Sequence, residues 1–173
     1  MSKKFNLAIV GATGFVGQAV LTILQQRKFP INHLYLLASE RSSGEIMEFN
    51  KQQLIVSDLV EFDFKQADIA IFTAGSDVSA QYVPKATQNA CLVIDNTPQF
   101  RYDDDVPLII PEVNPEALAG YKKRRIIANP NCSTIQMLVA LKPIYDAVGI
   151  MRINVVTFQS VSGAGKAAFY ELI

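Results

Sequence analysis

The stretch "FNLAIVGATGFVGQAVLTILQQRK", Phe5 to Lys28, decides the fold. "FNLAIV" reads as a buried strand. It runs into Gly11, Gly14 and Gly17, after which Val16, Val20, Ile23 and Leu24 recur at helical spacing, predicting one apolar helix face. A strand that ends in a glycine turn and feeds a helix opens a βαβ unit, and the unpaired amides at such a helix start receive phosphate. The spacing is GxxGxxG rather than GxGxxG, and a plain packing turn would use the same glycines. Its place after the first strand favours nucleotide binding. The candidate cofactor loop is Gly11, Ala12, Thr13, Gly14, Phe15, Val16 and Gly17.

Outward from this loop, "HLYLLAS", "ADIAIFTAG", "CLVIDN", "PLIIPEV" and "RRIIANP" read as further strands. Helical or irregular stretches, such as Asp77 to Asn89, separate them. This alternation predicts an α/β fold, a Rossmann-like doubly wound and mostly parallel sheet, over residues 1–130. From residue 131 the pattern changes. A helix starts near Ser133, and "RINVVTFQSV" alternates over a length that suits an antiparallel strand with one covered face. That strand is expected to begin a second domain, 131–173, which is incomplete: the chain stops at Ile173 within the helical pattern "GKAAFYELI".

Half of the 173 residues are apolar, enough for a sizeable core, and sixteen basic residues balance sixteen acidic ones. The basic run at Lys122 to Arg125 reads as a solvated turn, so nucleic acid is not an expected partner. No apolar stretch approaches membrane-spanning length and the start lacks a signal-peptide core, which predicts a cytoplasmic protein without membrane contact. Two cysteines and one histidine make neither a disulfide framework nor a zinc site, and no metal is expected.

The second strand ends in "ASERSSG", about 20 residues beyond the glycine loop, where dinucleotide folds contact the ribose. Glu40 could accept from a ribose hydroxyl. Arg41 with Ser42 and Ser43 suits a 2′-phosphate instead, which favours NADP (NADPH) over NAD. A second glycine cluster, "SVSGAGKAA", fails as a P-loop because Ser160 stands where the first glycine belongs and Ala167 replaces the magnesium-holding hydroxyl.

In "IIANPNCSTIQMLVAL", Ile126 to Leu141, Cys132 follows an Asn-Pro-Asn turn and opens a helix. The positive end of the helix dipole there favours a thiolate, so Cys132 is a candidate nucleophile, although a small residue packed at a turn would look the same. A thiolate beside a nicotinamide suggests aldehyde chemistry through a thioester, with the helix-start amides holding the oxyanion. Cys91 in "NACLVID" is expected to be an inert core residue.

"GATGFVG", "RSSG", "DNTPQFRYDDDVPLIIPEVN", "NPNCSTIQ" and "FQSVSGAGKAA" together resemble aspartate-semialdehyde dehydrogenase, in order and spacing and over the whole chain. The resemblance implies an NADP-dependent reduction of aspartyl phosphate to the semialdehyde, with release of phosphate, in lysine, threonine and methionine biosynthesis. By the same resemblance Cys132 is the nucleophile, Asn131 lines the active site and supports the substrate phosphate, and Gln159 orients the acyl intermediate. Arg101 receives the phosphate, a role that suits a permanent bidentate cation; otherwise it would pair with Asp103, Asp104 or Asp105. Ser76 and Gly165 lie beside the cofactor. Residues 131–173 become the start of a catalytic and dimerisation domain, and the parent protein a homo-oligomer.

The chain departs from the family at Glu45, where a lysine is usual, and at Asp77 in "GSDVS", where a small residue is common. The histidine and further basic residues that the family uses would lie past Ile173; His33, placed before the second strand, is not that histidine. The chain by itself is therefore expected to be inactive. N-acetylglutamyl phosphate reductase is the rival enzyme, but its cysteine stands in Asn-Pro-Gly-Cys-Tyr where Asn131 and Ser133 flank this one. A dinucleotide-binding module without catalysis would need neither Cys132 nor Gln159.

Overall fold

The apolar hexapeptide Phe5–Val10 forms strand β1 at the centre of the protein, and the elements follow it as α1 (Phe15–Gln26), β2 (Ile31–Ala38), β3 (Ile46–Phe49), β4 (Gln52–Ile55), β5 (Ser57–Asp58), β6 (Ile69–Phe72), α2 (Ser76–Gln88), β7 (Leu92–Asp95), β8 (Ile126–Ala128), α3 (Cys132–Val148) and α4 (Lys166–Leu172). The computed structural model describes residues 3–172; Met1, Ser2 and the end of the "GKAAFYELI" pattern at Ile173 lie outside them. Six strands form one sheet in the order β5-β2-β1-β6-β7-β8, and every pair in it is parallel. The expected Rossmann-like architecture is therefore present.

Alternation along β1 divides the core between the two faces of the sheet. Leu7 and Ile9 pack with Leu21, Leu36, Phe49 and Val56. Ala8 and Val10 point the other way, to Leu37, Phe72, Val83, Ala86 and Val93. Burying each of the larger aliphatic or aromatic side chains contributes about 1.5–3 kcal/mol. Such two-sided burial explains why the parallel strands read as continuous apolar runs.

Helix α1 keeps half of the predicted stripe, with Val20 and Leu24 packed against the core, but its deepest contacts lie elsewhere. Gly17 and Leu21 are its buried residues, whereas Val16 and Ile23 are 45% and 48% exposed. Close approach at Gly17 rotates the contact line onto Gly17, Leu21 and Leu24, which share a face at i, i+4 and i+7. Val16 and Ile23 are thereby carried about 100° round the helix.

Several other expectations are corrected. Pro107–Val113 is not a strand: it makes a single bridge, Leu108 to Ala128, because Pro107 and Pro111 each lack a ladder donor. Arg152–Ser160 has no strand structure either. It presents Val156 at 84% and Phe158 at 98% exposure, since no neighbouring strand among the described residues offers it hydrogen bonds. His33 lies within β2, opposite Asn6, rather than before the strand. The Lys122–Arg125 run is only partly solvated, for Arg124 bonds Asp103 and Asp105. Asp77 to Asn89 resolves as helix, within α2 and its cap. The β3–β4 hairpin was not anticipated. Its turn places Asn50 and Lys51 at φ 52° and 65°, a geometry that Asn at the first position could have signalled. No helix among the described residues is long and apolar enough to cross a membrane.

The glycine loop is held by backbone contact. A Cβ on Gly17 would collide with the carbonyl oxygen of Gly11 and lie 2.8 Å from Cα of Ala12, whereas one on Gly14 would stay 3.3 Å from the Gly11 oxygen. Backbone atoms cannot yield as a side-chain end can. Gly17→Ala should therefore lower stability by about 1–3 kcal/mol, and Gly14→Ala by less, as measured by denaturant midpoints; equal losses would contradict this packing.

Candidate active site

Strand order reverses at β1, so the carboxyl ends of β1, β2 and β6 open onto a common cleft. Its volume is about 840 Å³, and Gly11, Thr13, Gly14, Glu40, Arg41, Ser42, Thr73 and Ala74 are among its walls. Gly11, at φ 87°, and Ala12 donate their amides to the carbonyl of Leu37 at 2.8 and 3.1 Å, and Gly14 donates to Gly11 at 3.0 Å. The loop thus spends these amides on its own shape. Ala12 is fully buried. Glu40, Arg41 and Ser42 form one short helical turn after β2, with the Arg41 side chain exposed. Glu45 and Asp58 place further carboxylates on the same wall. Ser76 opens α2 behind Gly75, whose φ is 107°; Ala74 and Val78, rather than Ser76, line the cleft. Phe15 meets the ring of Phe169 edge-on at 5.7 Å, bringing α4 against the start of α1.

The thiol of Cys132 is exposed at the first residue of α3. Asn131 caps that helix: its Oδ1 accepts from the Ser133 amide at 3.0 Å, from Ser133 Oγ at 2.8 Å and from Cys132 Sγ at 3.6 Å. Such a cap contributes about 1 kcal/mol. Gln159, 27 residues further on, places Nε2 3.9 Å from Cys132 Sγ. Gly165 ends the short turn after Ser160 at φ 96°, leading directly into α4.

Arg101 is not paired with the neighbouring aspartates. Its Nε donates to the carbonyl of Asn129 at 2.9 Å and its Nη2 to that of Asn96 at 3.2 Å, while Asn129 Nδ2 donates to Asn96 Oδ1 at 2.6 Å. The guanidinium thus ties the loop after β7 to the Asn-Pro-Asn turn that carries the thiol. Asp103 and Asp105 belong to Arg124, at 2.6 and 3.0 Å. Arg124 also lies over the Phe100 ring.

Beneath the loop, fully buried Asp95 accepts from Ser79 Oγ, the Thr97 amide and Thr97 Oγ1 at 3.0, 3.0 and 2.9 Å. Burial nevertheless raises its carboxyl above the usual range, against the opposing pull of those hydrogen bonds and of Arg101. Asp95, Asn96 and Asn129 were absent from the sequence expectations. An Asx-type turn at "DNT" was the available signal.

Comparison with known proteins places this geometry. Residues 6–121 match the family model described as "Semialdehyde dehydrogenase, NAD binding domain", and residues 141–173 match "Semialdehyde dehydrogenase, dimerisation domain". The chain belongs to the semialdehyde dehydrogenase family. It is 60% identical over 172 residues to the aspartate-semialdehyde dehydrogenase of Shewanella violacea, covering 99% of this chain and 51% of that protein. The solved structure of aspartate semialdehyde dehydrogenase II from Vibrio cholerae, complexed with ASA, superposes with a TM-score of 0.96 at 60% identity, over 99% of this chain and 51% of that one. The Candida albicans enzyme, solved with NADP, gives 0.70 at 27% identity, over 86% and 48% of the two chains. The semialdehyde dehydrogenase chain described here thus spans about half the length of the curated relatives it matches.

Its two cysteines have opposite environments. Cys91 is fully buried, and burial, with the nearby Asp68 carboxylate, pushes its thiol up to about 12 from 9.0. The folded state therefore prefers the neutral thiol. That contribution to stability is complete below pH 9 and is lost as the pH rises towards 12. Alkylation near neutrality, mapped by mass spectrometry, should label Cys132 and leave Cys91 unmodified until the chain unfolds. The stability difference between the parent chain and Cys91→Ala should shrink from pH 9 upward, by at most about 1.4 kcal/mol per pH unit. A constant difference, or equal labelling, would contradict these environments.

Proposed function

We propose that the whole protein is an NADP-dependent aspartate-semialdehyde dehydrogenase, acting in the cytoplasm, in which residues 1–130 form the dinucleotide domain and residues 131–173 the start of the catalytic and dimerisation domain. The observation that carries the reading is the amide of Gln159 against the Cys132 sulfur at a helix start, in a chain 60% identical to such enzymes. In the reductive direction Cys132 Sγ attacks the acyl carbon of aspartyl phosphate. The carbon–oxygen bond to phosphate breaks, phosphate leaves, and a thioester remains on sulfur. Asn131 and Gln159 hold the sulfur and the acyl group in line. Arg101, already anchored through Nε and Nη2, offers Nη1 to the departing phosphate. Reduced nicotinamide, when bound, would supply the hydride that breaks the carbon–sulfur bond, releasing the semialdehyde and returning Cys132 as its thiolate.

For the cofactor, the residues present fit a dinucleotide. Gly11, Ala12, Thr13, Gly14, Phe15, Val16 and Gly17 form the turn and helix start against which the pyrophosphate lies, with the amides of Gly11, Ala12 and Gly14 holding the shape of the loop. Arg41 and Ser42 face a 2′-phosphate, and Ser76 and Gly165 flank the nicotinamide side. Arg41→Ala should weaken NADPH by about 1.5–3 kcal/mol, as expected for a charged hydrogen bond, and leave NADH nearly unchanged in calorimetric titration. Equal affinities of the parent chain for both nucleotides would remove the 2′-phosphate role.

These 173 residues should bind nucleotide without turning over. Their one histidine, His33, is exposed in β2, and a positioned acid or base contributes typically about 10²–10⁴-fold. The α3 helix has no fully buried residue, and the exposed run after it offers a face to further chain and to a second subunit. Phosphate-dependent oxidation of the semialdehyde, measured with NADP on this chain and on one extended to the relatives' length, should appear in the extended chain alone. Comparable turnover by both would overturn the division of chemistry between the halves.

A further inference from the structure

A glutamine side chain on an exposed segment has three free torsions, so some feature must hold its amide against the thiol. Gln159 ends the extended run, and the chain then turns tightly through residues 161–164. Ser160 caps that turn: the Ser162 amide donates to Ser160 Oγ at 3.4 Å and the Gly163 amide to the Ser160 carbonyl at 3.1 Å. The turn brings Gly163 back beneath Gln159. A Cβ on Gly163 would fall on Nε2 of Gln159 and stand 3.3 Å from Cδ and 3.6 Å from Cγ. The outer half of the glutamine therefore lies in the space that any side chain at 163 would fill.

The two glycines of this turn serve different needs. Gly165, at φ 96°, has nothing within 4 Å of its missing Cβ, so its backbone conformation calls for glycine and the space does not. Gly163 is the converse. Its φ lies outside the left-handed region, so the backbone would accept alanine, and the three atoms nearest the missing Cβ all belong to Gln159. The obstructing atoms belong to the free end of a flexible side chain, which can swing away at little cost to the fold.

We infer that Gly163 is a positioning residue for the thiol chemistry: by lacking a side chain it leaves the slot in which the Gln159 amide reaches Cys132. This role rests on the proposed part of Gln159 in the reaction. It predicts that Gly163→Ala acts on the sulfur only by displacing Gln159, with the turn and the remainder of the chain intact.

Single variants Gly163→Ala and Gln159→Ala and their combination, in the full chain, form a cycle that isolates this coupling. The readout is the rate of Cys132 alkylation by iodoacetamide across a pH series, with adducts assigned by mass spectrometry and thermal unfolding followed in parallel. Each single variant should slow alkylation near neutrality by the same factor, roughly two- to tenfold for one hydrogen bond lost to the sulfur. The double variant should react like Gln159→Ala alone, and the midpoints of unfolding should coincide. Normal alkylation in Gly163→Ala beside slowed alkylation in Gln159→Ala would overturn the inference and leave the role of Gln159 standing. Additive effects in the double variant would assign Gly163 to the turn itself, and the inference would again fail. An unaltered rate in Gln159→Ala would remove the glutamine's role and this inference together.

Discussion

The parallel ladder on either side of β1 is the constraint on which the site depends. β1 pairs with β2 from Phe5 to Val10 and with β6 from Leu7 to Val10, and β7 and β8 continue the sheet from β6. Because all these strands run the same way, each delivers its next residue to the same edge of the sheet. Gly11, Ser39, Thr73, Asn96 and Asn129 are those residues, and the candidate groups lie on or just beyond them except Gln159 and Gly165, which return from beyond α3. A reversal of any one strand would carry its loop to the opposite edge, so the cleft and the thiol turn share an address through the ladder alone.

At that edge, backbone polar groups do much of the fastening. The loop after β7 and the turn after β8 leave carbonyls without ladder partners, and Arg101 takes one from each. Asn96 and Asn129 add an amide bond between the same two segments, and buried Asp95 holds the first of them to α2 through Ser79. These links fix the approach to α3, whose first residue is Cys132. A permanent cation is well suited here, since its rigid fork can satisfy two carbonyls and still project charge outward.

Strong apolar periodicity made the central elements readable from the chain: β1, α1, β2, β6, β7 and β8 were all expected near their observed places. Pro107–Val113 and Arg152–Ser160 failed for one reason. An apolar alternating run states what a strand would bury, but pairing needs a neighbour with matching donors and acceptors. The prolines remove donors in the first case, and in the second the described residues supply no partner. The β5 strand and the β3–β4 hairpin escaped because they lack the continuous apolar run that marked β6, β7 and β8: "IMEF" and "QQLI" mix polar with apolar residues, and "SD" is polar.

By itself the sequence marked candidates for chemistry, for residue type and placement point to a glycine loop and a cysteine at a helix start, and the family resemblance adds the glutamine beyond it. It also determined the alternation of strand and helix, since burial on both faces of a parallel sheet imposes its own composition. Only the tertiary structure decided that Gln159 meets Cys132 across 27 residues, that Arg101 clamps two backbones and leaves the adjacent aspartates to Arg124, and that α1 turns its Gly17 stripe to the sheet. Those are matters of distance between segments remote in sequence. They follow from how closely backbones pack and which polar groups remain unpaired once the sheet has formed, quantities that no local pattern records.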